Sequence, residues 1–154
     1  MAAIDTDRIE RKILLRAPRS RVWRALTDSQ EFGKWFGVRL TGAFVPGARL
    51  RGPITTKGYE HLTMDLTIER VEPERMFSWR WPHAELEADK DYADVPTTLV
   101  VFELDEVDGG TLLTVVESGF DRIPLAQRAE ALRRNEGGWT AQMEAIARYV
   151  GPTA

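Results

Sequence analysis

Glu117 is the residue whose placement most invites a chemical role. Along Leu113–Ser118 the apolar residues alternate, so Leu113, Val115 and Glu117 share one face of a strand. The alternation that buries the first two carries a carboxylate inward with them. An ionised carboxylate alone in an apolar interior is costly, so it must neutralise or find a partner. Pairing with Arg49 or Arg51, or with a helix N-terminus, is one account. Contact with the polar group of a ligand, or acid–base work, is the other. Asn135-Glu136, one helical turn before Trp139, raises the same choice and is expected at the rim of the interior.

The two histidines form no metal pair at helical spacing. His61 reads as lying on a strand opposite the apolar face, exposed or hydrogen-bonded, with a general base as its chemical alternative; His83 lies beside Pro82 at a strand end. Residues 85–94 carry five carboxylates against one Lys but lack the Gly and terminal Glu of a calcium loop. A solvated connection is expected there, with a flap over a pocket mouth as the alternative.

Five tryptophans sharpen the picture by where they stand. Trp79 and Trp81 share a strand face with Phe77, Trp139 interrupts the aliphatic stripe of the last helix, and Trp35-Phe36 ends a short one. Large aromatics mostly fill cores, burying roughly 150–250 Å² each. Rings on a curved sheet beneath one helix also suit an apolar ligand pocket with a few polar groups. On that second reading the ligand-contacting set is Trp35, Phe36, Met64, Leu66, Trp79, Trp81, Phe102, Val115, Glu117, Trp139 and Met143, and no catalytic residue is assigned.

The elements that must position these residues follow from periodicity. Ile9, Ile13 and Leu15 at period two predict a first strand, and Ala17-Pro18 breaks it. Val22, Trp23 and Leu26 predict a short amphipathic helix over 18–27. Asp28 with Glu31 resembles a capping box for a second short helix ending near Gly37. From Val38 to Ser118 the period is two, punctuated by Gly42, Gly47, Gly52 and Gly58, by Glu72-Pro73-Glu74 and by Asp108-Gly109. Six or seven strands at meander spacing predict a mostly antiparallel sheet. Pro124 opens a helix of about 27 residues with a stripe of Leu125, Ala129, Leu132, Trp139, Met143, Ile146 and Val150. Gly137-Gly138 within it calls for a kink or a close backbone approach. The order implies an α+β fold in which the long helix buries its stripe on the concave face of a curled sheet.

Composition narrows the function classes. At 154 residues, 43% hydrophobic and 29% charged, one globular domain spanning 1–154 with a core over about 8–150 is expected. The net charge of −3 offers no basic field for nucleic acid or an anionic membrane. Zero cysteines exclude disulfides, thiolate metal sites and a Cys nucleophile. No nucleotide-binding glycine loop and no nucleophile-elbow serine is present. The N-terminus lacks the pattern of a secretory signal, so a cytoplasmic location is expected.

Ala17–Asp28 followed by Trp35-Phe36 resembles the opening of a branch of the START-like (SRPBCC) superfamily, the one named for the activator of the heat-shock-protein-90 ATPase. Val71–Met76 leading to Trp79, Gly110–Thr114 leading to Glu117–Phe120, and Gly138-Trp139 leading to Met143 and Ile146 extend the resemblance across nearly the whole chain. It implies a helix-grip fold, a curved antiparallel sheet around a long C-terminal helix with a cavity between them. Relatives include ligand carriers, cyclases, resistance proteins and co-chaperone domains, so the resemblance leaves activity open. The co-chaperones carry a separate N-terminal domain, whereas about eight residues precede the first strand here; direct ATPase stimulation is not expected. The leading expectation is a binding protein for an apolar or aromatic small molecule, without cofactor or metal, with a homodimer left open. A cyclase- or hydrolase-type enzyme using Glu117 or His61 as base, and a chaperone-linked interaction module of the stress response, stand as alternatives.

Overall fold

Period-two alternation becomes a single seven-stranded antiparallel sheet. The computed structural model describes residues 8–83, 86–87 and 95–151. In chain order the elements are β1 (Arg8–Leu15), α1 (Arg19–Thr27), α2 (Ser29–Phe36), β2 (Arg49–Pro53), β3 (Leu62–Glu72), β4 (Met76–Pro82), β5 (Leu86–Glu87), β6 (Thr97–Val107), β7 (Gly110–Ser118), a 3₁₀ turn at Phe120–Arg122, and α3 (Leu125–Val150). The sheet order is β1-β7-β6-β4-β3-β2, with β5 pairing on β3. A register shift between Ile68 and Arg70 breaks the β3–β4 ladder, and such irregularities bend a strand and increase its twist. The predicted architecture of curved sheet, two short helices and long C-terminal helix is thus the observed one.

Register explains why Glu117 is buried. It pairs with Ile9 on one side and Val100 on the other; Val100 faces Trp79, and Trp79 faces Ile68. Ile9, Val100, Trp79 and Ile68 are all buried, so the carboxylate lies in the middle of an apolar row. Slipping the register by one residue would send every member of that row to the opposite face.

The two short helices close one end of the sheet. Asp28 caps α2, accepting from the backbone N–H groups of Gln30 and Glu31 at 3.0 and 3.1 Å. The reciprocal half of the expected capping box is replaced. The Glu31 carboxylate takes Arg21 and Arg24, each at 2.7 Å, and the Tyr149 hydroxyl at 3.0 Å, clamping α1, α2 and α3 together. Arg21 also lies over the Tyr149 ring, 4.9 Å from its centroid. At the far end of α2, Gly37 takes φ +92° and a Cβ there would lie 2.4 Å from Thr56 Oγ1, so glycine is required beside Phe36.

Three expectations need correction. The buried stripe of α3 begins at Ala131 and continues through Trp139, Met143, Ile146 and Val150, whereas Leu125 is 77% exposed and Ala129 is exposed as well. The first turns of the helix therefore leave the sheet, although the spacing runs on. Gly137 and Gly138 sit inside an unbroken helix, and a Cβ at either would meet nothing within 4 Å, so close backbone approach is not their reason. His61 lies in the turn before β3, exposed, and not on the strand. Most of the acidic stretch, 84–85 and 88–94, falls outside the described residues; Leu86–Glu87 form β5.

Candidate functional site

The aromatic residues do converge. Trp79 packs edge-on or tilted against Phe32, Phe77, Trp81 and Phe102, with centroids 5.1–5.6 Å apart. Trp139, reaching down from α3, meets Trp81 at 5.9 Å, Phe102 at 5.7 Å and Phe36 at 6.3 Å. These separations and tilts are those of well-packed aromatic pairs. Sheet, α2 and α3 are thereby joined through rings.

Glu117 is the polar centre of this cluster and is completely buried. Oε1 accepts from Trp139 Nε1 at 2.9 Å and Asn135 Nδ2 at 2.9 Å. Oε2 accepts from Trp81 Nε1 at 2.8 Å, Thr98 Oγ1 at 2.5 Å and Asn135 Nδ2 at 3.1 Å. Trp81 Nε1 is shared with Thr98 Oγ1 at 3.0 Å. Four neutral side chains from β4, β6 and α3 thus hold a carboxylate contributed by β7. A carboxylate offers about four lone-pair positions, so these five contacts saturate it. The ion pair with Arg49 does not form; Arg49 instead grips Asp65 with two hydrogen bonds of 3.0 and 2.6 Å. Asn135, expected at the rim, is half-buried with its amide on Glu117, while Glu136 turns outward, 3.9 Å from Arg11.

Two adjoining hollows open beside this cluster, where α3 parts from β3 and β4. The first, of about 190 Å³, is lined by Phe36, Ile54, Leu62, Thr63, Met64, Asp65, Trp81, Pro82, His83, Arg134 and Asn135. The second, of about 90 Å³, is lined by Phe36, Trp81, Asn135, Gly138, Trp139 and Gln142. Phe36, Trp81 and Asn135 belong to both. The bare Cα of Gly138 thereby gains a positional sense, since a side chain there would project into the smaller hollow. Broader depressions of about 470 and 630 Å³ lie at the Arg16–Arg19/Gly109–Gly110 end and beside Trp23–Gln30, away from the indoles.

The anticipated contact residues therefore divide. Phe36, Met64, Trp81 and Trp139 line the hollows. Trp35, Leu66, Trp79, Phe102, Val115 and Met143 are packed into the core, Trp35 donating its indole N–H to the Ala25 carbonyl at 2.7 Å. Glu117 stands one layer behind the walls. Among the described residues the Trp79 indole N–H is buried without a partner.

Polar groups at the larger hollow were largely missed. Arg134 donates to the His83 backbone carbonyl and so bridges α3 to the end of β4. Burial, and then the Arg134 charge, lower the His83 pKa below its usual 6.5, which favours the neutral ring. Gln142 donates to the Phe36 carbonyl at 2.9 Å. The signal was present in the spacing: 135, 138, 139 and 142 stand at i, i+3, i+4 and i+7, one face of a helix. Arg134 adjoins that face. Among the described residues no group of three or more metal-ligating side chains is gathered, and no helix is long and apolar enough to cross a membrane.

Residues 16–151 match the family model for activator of Hsp90 ATPase homolog 1-like protein. The chain belongs to that family. No curated protein matches the sequence. Among solved structures, DynU16 of the dynemicin biosynthetic locus is 26% identical with a TM-score of 0.70, covering 93% of this chain but 46% of its own. The present chain thus spans about half the length of that relative. Protein Ms6760 from Mycobacterium smegmatis is 22% identical with a TM-score of 0.76, covering 99% of this chain and 95% of its own. The Aha1 dimer from Colwellia psychrerythraea is 16% identical with a TM-score of 0.69, covering 93% and 95% respectively. The chain shares its fold with all three.

Proposed function

We propose that this family member binds a small, flat apolar molecule in the larger hollow, between the first half of α3 and strands β3 and β4. The observation that carries the reading is the convergence of apolar walls (Phe36, Ile54, Leu62, Met64, Trp81) with a few polar groups at one opening about 190 Å³ in volume. A cavity of about 150 Å³ accepts benzene, so a one-ring compound fits and a larger one would extend through the open side. Ligand pockets generally combine a mostly apolar lining with few polar contacts.

In this reading Glu117 orients the walls and does not touch the ligand. By accepting from Trp81, Trp139 and Asn135 it fixes three side chains that line the hollows. Of the expected contacts, Phe36, Met64 and Trp81 would meet the ligand, Trp139 would wall the adjoining smaller hollow, and the core residues would support them. An enzymatic role with Glu117 as base finds little support, because its oxygens are saturated and a general base needs reach to a substrate proton. His61, exposed in its turn, is no better placed.

The test is tryptophan fluorescence titrated with a panel of one- and two-ring aromatics. Saturable quenching is expected, and Thr63→Phe, which plugs the larger hollow from β3, should abolish it while leaving the circular dichroism unchanged. Quenching that survives the plug would place binding elsewhere and overturn the reading.

A further inference from the structure

Resting on that reading, we infer that the ligand is an aromatic compound bearing one anionic group, a carboxylate or its equivalent, which pairs with Arg134 at the mouth of the larger hollow.

Glu117 decides where the donors around it point. A carboxylate only accepts, so every N–H aimed at it is withdrawn from the hollow. The indole N–H groups of Trp81 and Trp139 are used in this way, and both rings are left as hydrocarbon walls. Asn135 must turn its NH₂ toward the carboxylate, which leaves its carbonyl oxygen as the amide atom with no hydrogen bond among the described residues. Gln142 spends its NH₂ on the Phe36 carbonyl. The larger hollow, walled by Trp81, and the smaller one beside it, walled by Trp81 and Trp139, thereby offer few donors to a ligand.

Arg134 is the exception. Among the described residues it is the one cation lining either hollow, and no carboxylate pairs with it. Its hydrogen bond to the His83 carbonyl uses one edge of the guanidinium and tethers the head group across the opening. A guanidinium has five N–H donors in a planar fork, so further donors remain for a planar anion. The carboxylate that would compete, Asp65, is already neutralised by Arg49 through two hydrogen bonds. The neutral state of His83, favoured by its surroundings, adds no second positive charge. The hollow therefore pairs an apolar floor with one fork of donors at the mouth, a pattern that selects ring compounds with a single acidic substituent.

Matched acids and amides test this: phenylacetate against phenylacetamide, and cinnamate against cinnamamide, titrated into the full chain and followed by protein NMR at low ionic strength. The acids should bind at least tenfold more tightly than their amides, the preference should shrink at 0.5 M salt, and Arg134→Gln should bring each acid to the level of its amide. That variant sits at an exposed helix position, and a circular dichroism spectrum and thermal melt matching the parent verify that the fold is intact. Amides binding as well as acids, or an acid preference that persists in Arg134→Gln, would overturn the anionic class and leave the hollow reading standing. No shift of the Trp81 or Met64 resonances with any of the four compounds at 10 mM would overturn both.

Discussion

Replacing Glu117 by Gln or Met tests the idea that one buried carboxylate organises the site. In Glu117→Gln the favoured orientation keeps an oxygen at the Oε1 position, where Trp139 and Asn135 still donate. The new NH₂ falls where Trp81, Thr98 and the second Asn135 contact lay. Thr98 can rotate to accept, and Trp81 retains the Thr98 oxygen at 3.0 Å. The variant thus loses roughly two hydrogen bonds and the charge on the rest, partly offset because a neutral amide is easier to bury. With about 1.5–3 kcal/mol for a hydrogen bond to a charged group, a net loss of about 2 kcal/mol follows. Glu117→Met keeps the shape but leaves Trp139 Nε1 and the Asn135 amide with no acceptor. At about 1–3 kcal/mol for each stranded group, the loss is about 4 kcal/mol. For a chain of this size 1 kcal/mol moves the midpoint by about 2–4 °C, so calorimetry should show drops of about 4–8 °C and 8–16 °C. A Gln variant within 1 °C of the parent, or a Met variant as stable as the Gln, would refute the reasoning.

Other outcomes follow from the same geometry. Gly137→Ala should stabilise the fold by about 0.5–1 kcal/mol, since α3 is regular there and a Cβ meets nothing, whereas Gly37→Ala should cost about 1–3 kcal/mol through its positive φ and the Thr56 hydroxyl; urea melts distinguish the two. At Glu31 burial pushes the pKa up, but the Tyr149 and Arg21 hydrogen bonds and the Arg21 and Arg24 charges outweigh it and hold the pKa below the usual 4.5. Its stabilisation is therefore present above the unfolded value and lost as pH falls through the folded one. Glu31→Gln should cost about 1 kcal/mol at pH 7 and close to nothing at pH 2, measured by denaturant titration at both. His83 should titrate below 6.5 by NMR, and Arg134→Gln should move it upward.

Alternation carried most of the fold. The inward face of Leu113, Val115 and Glu117, and the shared face of Phe77, Trp79 and Trp81, could be read because a strand has one simple period and a wrong parity inverts every residue. Elements whose limits depend on neighbours were less legible. The stripe of α3 continues past the sheet to Leu125, and nothing local to Leu125 records that the helix has by then left its support. The fate of Glu117 shows a different limit. Its burial followed from parity, but its partners come from β4, β6 and α3, and no single-chain pattern announces that two indoles and an amide will serve in place of an arginine. Arg134 was overlooked because an arginine on a polar helix face looks like any solvated charge until the opposing His83 carbonyl is in view. Trp35, Trp79 and Phe102 could not be separated from Phe36, Trp81 and Trp139 by residue type, because wall and core are built from the same rings.

The central claim is that a flat apolar compound lies between α3 and the β3–β4 strands, and intermolecular NOEs address it directly. With cinnamate or cinnamamide bound to protein carrying ¹³C-labelled methionine methyls, cross-peaks are expected from the ligand ring to the Met64 methyl and to the Trp81 ring. Cross-peaks confined to other methyls, or a saturated complex with none to Met64, would contradict it.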